Sequence, residues 1–414
     1  MFNQRKKIRP SFDRAKPLQR QASVPASETK RKRTLGLEND EVKLGEDVNS
    51  IYDKITILIG DKIERKQSNL PAHSIYRVPE LLRKVSHLSY SPRVLSIGPF
   101  HKQSEILKRL EAHKITYVHN LFDRLQPSPW ENTMKACIRK VLDKIDLIRS
   151  CYEGKMKVYD DNEFAKMMVL DGCFILELIY ASHRDHEGHS FFDINLVNLN
   201  VMRDLVLLEN QIPFFVLRDI FKCTISEFDP EVCLTMLVLS FLQEINPFRK
   251  ESLYKIQIPA TPGKDYDHIL GLLQNCYQPA VPETDQDLSR AGVKFVPKIV
   301  DETPKSILAM EYKPPKFSVL SYSWFKPTFS MPLLYIEDYT ESILRNLIAY
   351  EQLTPATSNH ITSYAFAMDG LLDNKEDIRK VIDSNGLVNN LGSTREASDM
   401  INSLCKDVIV ENFS

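Results

Sequence analysis

Apolar residues recur at helical spacing along most of the chain beyond residue 50. From Glu163 to Ser182, Phe164, Met167, Met168, Phe174, Ile175, Leu178 and Ile179 fall three or four residues apart, which predicts a helix with a wide apolar face. Asp171 lies on that face. Asn200 to Glu209 predicts a second helix; Pro213 then forces Ile212 out of helical geometry and lets a new helix start at Phe214, so that the proline joins two buried helices. Val232 to Glu244 and Thr340 to Glu351 continue the pattern. Between Ala260 and Pro332 prolines are frequent, and we expect loops with short extended pieces such as Val293–Val296, a place for a lid, linker or insertion. The predicted fold class is mainly α: a multi-helix globular body, a few short strands in the proline-rich section, and a disordered N-terminal tail.

Charge separates tail from body. The net charge is only −1, yet residues 1–33 hold eleven Lys or Arg against Asp13 and Glu28, an excess of nine positive charges that leaves the remainder at −10. Few large apolar side chains accompany Pro10, Pro17 and Pro25, so this segment cannot offset its ordering entropy. The expected division is a disordered basic tail over 1–48 and a single helical domain over 49–414, with 260–332 as a section within it. Lys30, Arg31, Lys32 and Arg33 form a candidate nuclear import signal, and Arg20–Ser23 has spacing that a basophilic kinase accepts.

Composition narrows the class further. At 414 residues, 43% hydrophobic and 26% charged, the chain can bury a sizeable core. Seven cysteines are scattered without a Cys-x-x-Cys pair, the usage of a reducing compartment. The start lacks an apolar stretch after its basic residues, and Val232–Leu242, interrupted by Thr235 and Ser240, is far below the ~20 residues of a membrane span. A cytoplasmic location is expected, nuclear if the basic cluster is read, and membrane-anchored only if an anchor follows Ser414.

Candidate chemistry lies in polar residues set among apolar ones: Asp171, Glu177, Arg203, Asp204, Glu209, Asn210 and Gln211. Two shielded carboxylates could form an acid/base pair. Buried carboxylates beside an arginine and amides more often act as hydrogen-bonded struts that fix helix register, and the reading here is a structural polar network. Asn210 and Gln211 before Pro213 fit it, because a broken helix frees backbone groups for side chains to satisfy. His183, His186 and His189, with Asp185 and Glu187, have metal-ligand chemistry but lack a spacing that would pre-arrange the rings, so no metal is expected. His101, after the sharp Gly98-Pro99 turn, is read as a surface histidine capping the helix near Glu111 or a packed one, with a ligand role as the other option. Thirteen glycines include no Walker or Gly-x-Gly-x-x-Gly run, and no Gly-x-Ser-x-Gly elbow occurs. No catalytic residue, cofactor or small-molecule substrate is assigned, and nucleic acid is not an expected partner.

Several segments resemble the plant family named domain of unknown function 247: Leu170–Glu177, Arg203–Leu217 and Thr340–Gln352, together with Ile75–Pro79, Ser96–His101, Leu110–Lys114, Ile361–Asp369 and Leu404–Lys406. The resemblance spans roughly residues 50 to 411. Family members often carry paired cysteines before the first of these, a second histidine after the position of His101, and a hydrophobic anchor at the end; here those places hold His73-Ser74, Lys102 and the end of the chain. The resemblance implies a helical body of unknown biochemical activity, membrane-associated in many members, and a protein-interaction or signalling module of the kind linked in some members to self-recognition in grass pollen. Alternatives are an enzyme with an unfamiliar site around Asp171, Glu209 and His101, and a nuclear adaptor using the basic tail.

Overall fold

A computed structural model describes residues 73–125, 129–154, 156–184, 195–248, 266–278, 294–297, 308, 310–313, 317–318, 323–324, 328–354 and 357–409. All lie within a compact unit, Leu70–Ser414. The described helices are α1 (Glu80–Val85), α2 (His87–Tyr90), α3 (Lys108–Asp123), α4 (Trp130–Leu142), α5 (Ile145–Ser150), α6 (Asp161–Arg184), α7 (Asn195–Asp204), α8 (Phe214–Cys223), α9 (Ile225–Phe228), α10 (Leu234–Leu242) and α11 (Ile269–Cys276). After short strands come α12 (Thr340–Leu353), α13 (His360–Leu371), α14 (Lys375–Asp383) and α15 (Thr394–Leu404).

The mainly helical reading holds, and α6 is its axis. Its apolar residues run around most of the helix, and Phe164, Met168, Phe174, Ile175 and Leu178 are fully buried beneath α3, α4, α8 and α10. A helix apolar on nearly every side must be covered on nearly every side. Gly172 allows the closest approach: a Cβ there would stand 2.5 Å from Ile220 Cδ1 on α8. In the other half, α12 packs on α2, α11, α13 and α15. The two short helices α14 and α15 begin with side-chain caps. Asn374 accepts from the N–H groups of Glu376 and Asp377, and Ser393 accepts from Glu396 N–H, each satisfying orphan donors of a first turn.

Strands are few and short. β1 (Lys294–Pro297) runs parallel to β5 (Thr328–Met331), which pairs antiparallel with β2 (Glu311–Lys313); β3 (Phe317–Ser318) pairs with β4 (Ser323–Trp324). β6 (Leu334–Ile336) and β7 (Leu387–Asn389) pair in parallel with Leu334 opposite Leu387. Two expectations need correction. The helix expected to reach Glu209 ends at Asp204, and eight non-helical residues, 205–212, separate it from Pro213. The section 260–332 was expected to hold only loops and extended pieces, but it contains α11, whose Leu270, Leu272 and Leu273 are core residues.

Candidate functional site

The turn 205–213 and the residues at its two ends form the polar centre of the molecule. Leaving a helix in the interior frees backbone carbonyls and amides that water cannot reach, and each needs a partner. Asn210 donates from Nδ2 to the carbonyls of Asp204, 2.8 Å, and Leu95, 3.0 Å, while its Oδ1 accepts from Ile97 N–H at 2.7 Å. Gln211 donates from Nε2 to the carbonyls of Leu205 and Leu207 at 2.7 and 2.9 Å, and accepts from Leu270 N–H on α11 at 3.3 Å. Leu208 N–H reaches Asn346 Oδ1 on α12 at 2.9 Å. These amides take the place of the helix that stops.

The charged pair at the end of α7 is fully buried. Asp204 accepts backbone N–H groups from Arg93, Val94 and Leu95 and pairs with Arg203 Nη1 at 2.7 Å. Arg203 also donates to Ser342 Oγ at 3.0 Å and to the carbonyls of Ser91 and Leu88, so α7 is tied to α2 and α12 through one guanidinium. Burial pushes the Asp204 carboxyl above its usual range, opposed by Arg203 and the three N–H groups.

Asp171 on α6 accepts from Gly98 N–H at 2.8 Å and from Lys114 Nζ at 2.6 Å. Lys114, itself buried on α3, donates further to the Ser96 carbonyl and stands 2.7 Å from Glu111 Oε1. Burial works against the Lys114 charge, but Asp171 and Glu111 outweigh it and hold the ammonium above its ordinary range. Glu177, two turns along α6, receives Arg124 in a fork at 2.8 to 3.1 Å.

Glu209 lies nearest to solvent. Its Oε1 accepts from Val78 N–H at 2.8 Å and from Arg83 Nη2 at 2.5 Å, and its Oε2 stands 3.1 Å from His101 Nε2. That nitrogen is buried, and Glu209 is the group it faces. Burial alone would raise the Glu209 carboxyl; His101, Arg83 and Val78 N–H together hold it below the usual range. The side chains of Arg83 and His101 are about one-fifth exposed, so the pair opens toward the surface.

Asp171, Glu177, Arg203, Asp204, Glu209, Asn210 and Gln211 are all buried, and all bond to segments distant in the chain. Of the readings open for His101, the cap near Glu111 is not the arrangement found: Lys102 and Lys114 take Glu111, and His101 is packed against Glu209 with its side chain about one-fifth exposed. Reasoning missed Lys114, Asn346 and Glu351. Lys114 was visible as a cation on the apolar stripe of Leu110, Val118 and Leu121. Glu351 accepts from Gln274 and from the N–H groups of Ile361 and Thr362, capping α13 from α12. His183 closes α6, whereas Asp185, His186, Glu187 and His189 lie outside the described residues, as do Lys30, Arg31, Lys32 and Arg33. Among the described residues no helix is long and apolar enough to cross a membrane.

Known proteins share this arrangement of sequence. A UPF0481 protein of Arabidopsis thaliana is 28% identical over 359 residues, covering 81% of this chain and 73% of the relative. A second Arabidopsis thaliana protein, a putative UPF0481 protein, is 24% identical over 429 residues, covering 81% of this chain and 78% of its own. No solved structure matches. The family described as plant protein of unknown function, DUF247, matches residues 75–414, so the pattern that carries the buried polar turn extends over most of the sequence, and the chain belongs to that family.

Proposed function

We propose that the protein is a non-catalytic recognition module, a rigid helical body that presents its surface to a protein partner. The observation that carries this reading is the saturation of the buried motif. The carboxylates of Asp171 and Asp204 and the amides of Asn210 and Gln211 are buried and bonded to backbone groups and to Lys114 or Arg203, which ties them into the fold. Polar groups so engaged rigidify a fold and specify a single arrangement of its core. Self-recognition of the kind linked to other family members is one form such a role takes.

One observation favours a second reading, an enzyme with an unfamiliar acid/base site. His101 and Glu209 pair at the edge of the core with an incompletely satisfied imidazole nitrogen, an arrangement able to hold a proton. One experiment separates the two. The full chain is incubated with a plant metabolite extract, and in parallel cross-linked in plant tissue and mapped by mass spectrometry. The recognition reading expects reproducible cross-links from exposed residues to a defined protein and no consumed metabolite. Consumption of a metabolite that is abolished by His101→Gln would replace it with the enzyme reading.

A further inference from the structure

Helix α4 carries an apolar stripe that the core covers only in part, with Trp130 edge-on to Phe122 and Met134 partly buried. Cys137 and Val141 face inward and are buried, whereas Trp130 is 51% exposed and Ile138 and Leu142 are each 37% exposed. Met134 lies between them, and against α6 the stripe borders a shallow groove of about 160 Å³ whose walls include Met134, Ile138, Leu142, Ala165, Lys166 and Val169. The groove begins one turn beyond Trp130 and runs away from it. At ~1.5 Å per residue its far wall lies about 18 Å along the helix from the indole. A knob and a hole thus share one helix face, displaced along its axis.

Such a face is complementary to itself only under a two-fold axis that crosses the helix near Ala136. That operation lays two α4 helices antiparallel, with Trp130 of each copy opposite Leu142 of the other and Met134 opposite Ile138. Charge agrees with the geometry. Glu131 flanks the stripe near its start and Arg139 lies near its end, so antiparallel pairing brings acid toward base at both ends, while Lys135, also exposed, lies beside the axis. A parallel pairing would set like beside like. Lys166 on the groove wall is exposed and offers an ammonium to the entering indole face. We propose that the face formed by Trp130, Met134, Ile138 and Leu142 is a self-association surface, occupied by the same face of a second copy in an antiparallel two-fold arrangement. This inference stands apart from the reading of the polar turn.

Sedimentation velocity on the full chain, from about 1 to about 200 µM, tests it, with dimers of micromolar affinity expected for one helix pair per copy. Trp130→Ala is expected to weaken association by at least ~10-fold. Glu131→Arg should weaken it as well, and Glu131→Arg combined with Arg139→Glu should restore it, because the reversed charges meet again across the axis. These positions are exposed, so an unchanged melting curve will show that each variant folds. A chain that stays monomeric at the highest concentration overturns the proposal. A dimer indifferent to Trp130→Ala, or one that the paired reversal fails to restore, overturns it equally.

Discussion

Gly98 holds the segment Ser96–His101 against the polar turn. Its φ is +69°, and a Cβ there would meet the Gln211 carbonyl oxygen at 2.6 Å, while its N–H is a ligand of Asp171. Gly98→Ala therefore combines left-handed strain with a backbone clash and is expected to lower stability by about 2 kcal/mol or more, read as a lower urea midpoint. Arg203→Ala should cost about 3 kcal/mol, since it leaves Asp204 charged and buried without its cation. Melting within a degree of the parent would remove the structural account of that pair. The sequence displayed these residues by their contrast with apolar neighbours, and Gly98-Pro99 was readable as a turn. Their partners were not readable. Asp171 meets Lys114 across 57 residues and Asn210 meets Leu95 across 115, and no local spacing encodes such pairings.

At the scale of elements, the meeting of α6 and α8 depends on what Gly172 lacks. Gly172→Ala drives a methyl into Ile220 Cδ1, the end of a fully buried side chain that must turn against its neighbours, and an overpacking loss of about 1 to 3 kcal/mol is expected. Ile220→Val deletes the atom that clashes. The double variant should therefore be more stable than Gly172→Ala alone, and strictly additive losses in a denaturant series would place the strain elsewhere. Helices α6 and α12 were legible because their stripes are long. The end of α7 was not, because Asn210 and Gln211 capture the carbonyls that a longer helix would have used. Helix α11 was hidden by brevity, eight residues in a proline-rich section. Its remaining signal was His268, which caps it by accepting from Gly271 N–H at 3.0 Å.

The same histidine matters to the whole molecule. His268 Nε2 lies 2.9 Å from the Ser74 carbonyl while Nδ1 accepts from Gly271, and only a neutral imidazole protonated at Nε2 can do both. Burial lowers its proton affinity, against the opposing pull of Asp267 and the Ser74 contact. The unfolded chain then binds the proton more readily than the folded one. The stability contributed is full above the ordinary histidine range and is lost as pH falls through about 6.5. Melting temperature should drop between neutral and mildly acidic buffer, and His268→Asn, less stable at neutral pH, should show a smaller drop. An equal drop in both proteins would assign the acid sensitivity to other groups.

The turn 205–213 also constrains how the protein comes into being. A ribosome delivers Arg203 and Asp204 long before Ser342 and Asn346, the latter 138 residues after the Leu208 amide that it receives. Until α12 emerges, the turn has neither the amide nor the hydroxyl that complete it, and a collapsed intermediate would bury ionic and backbone groups without partners. We expect the nascent chain to be held back from premature closure on this account. Fragments ending near residue 300 should be captured by chaperones in a cell-free translation, and the full chain should leave them in one concerted step.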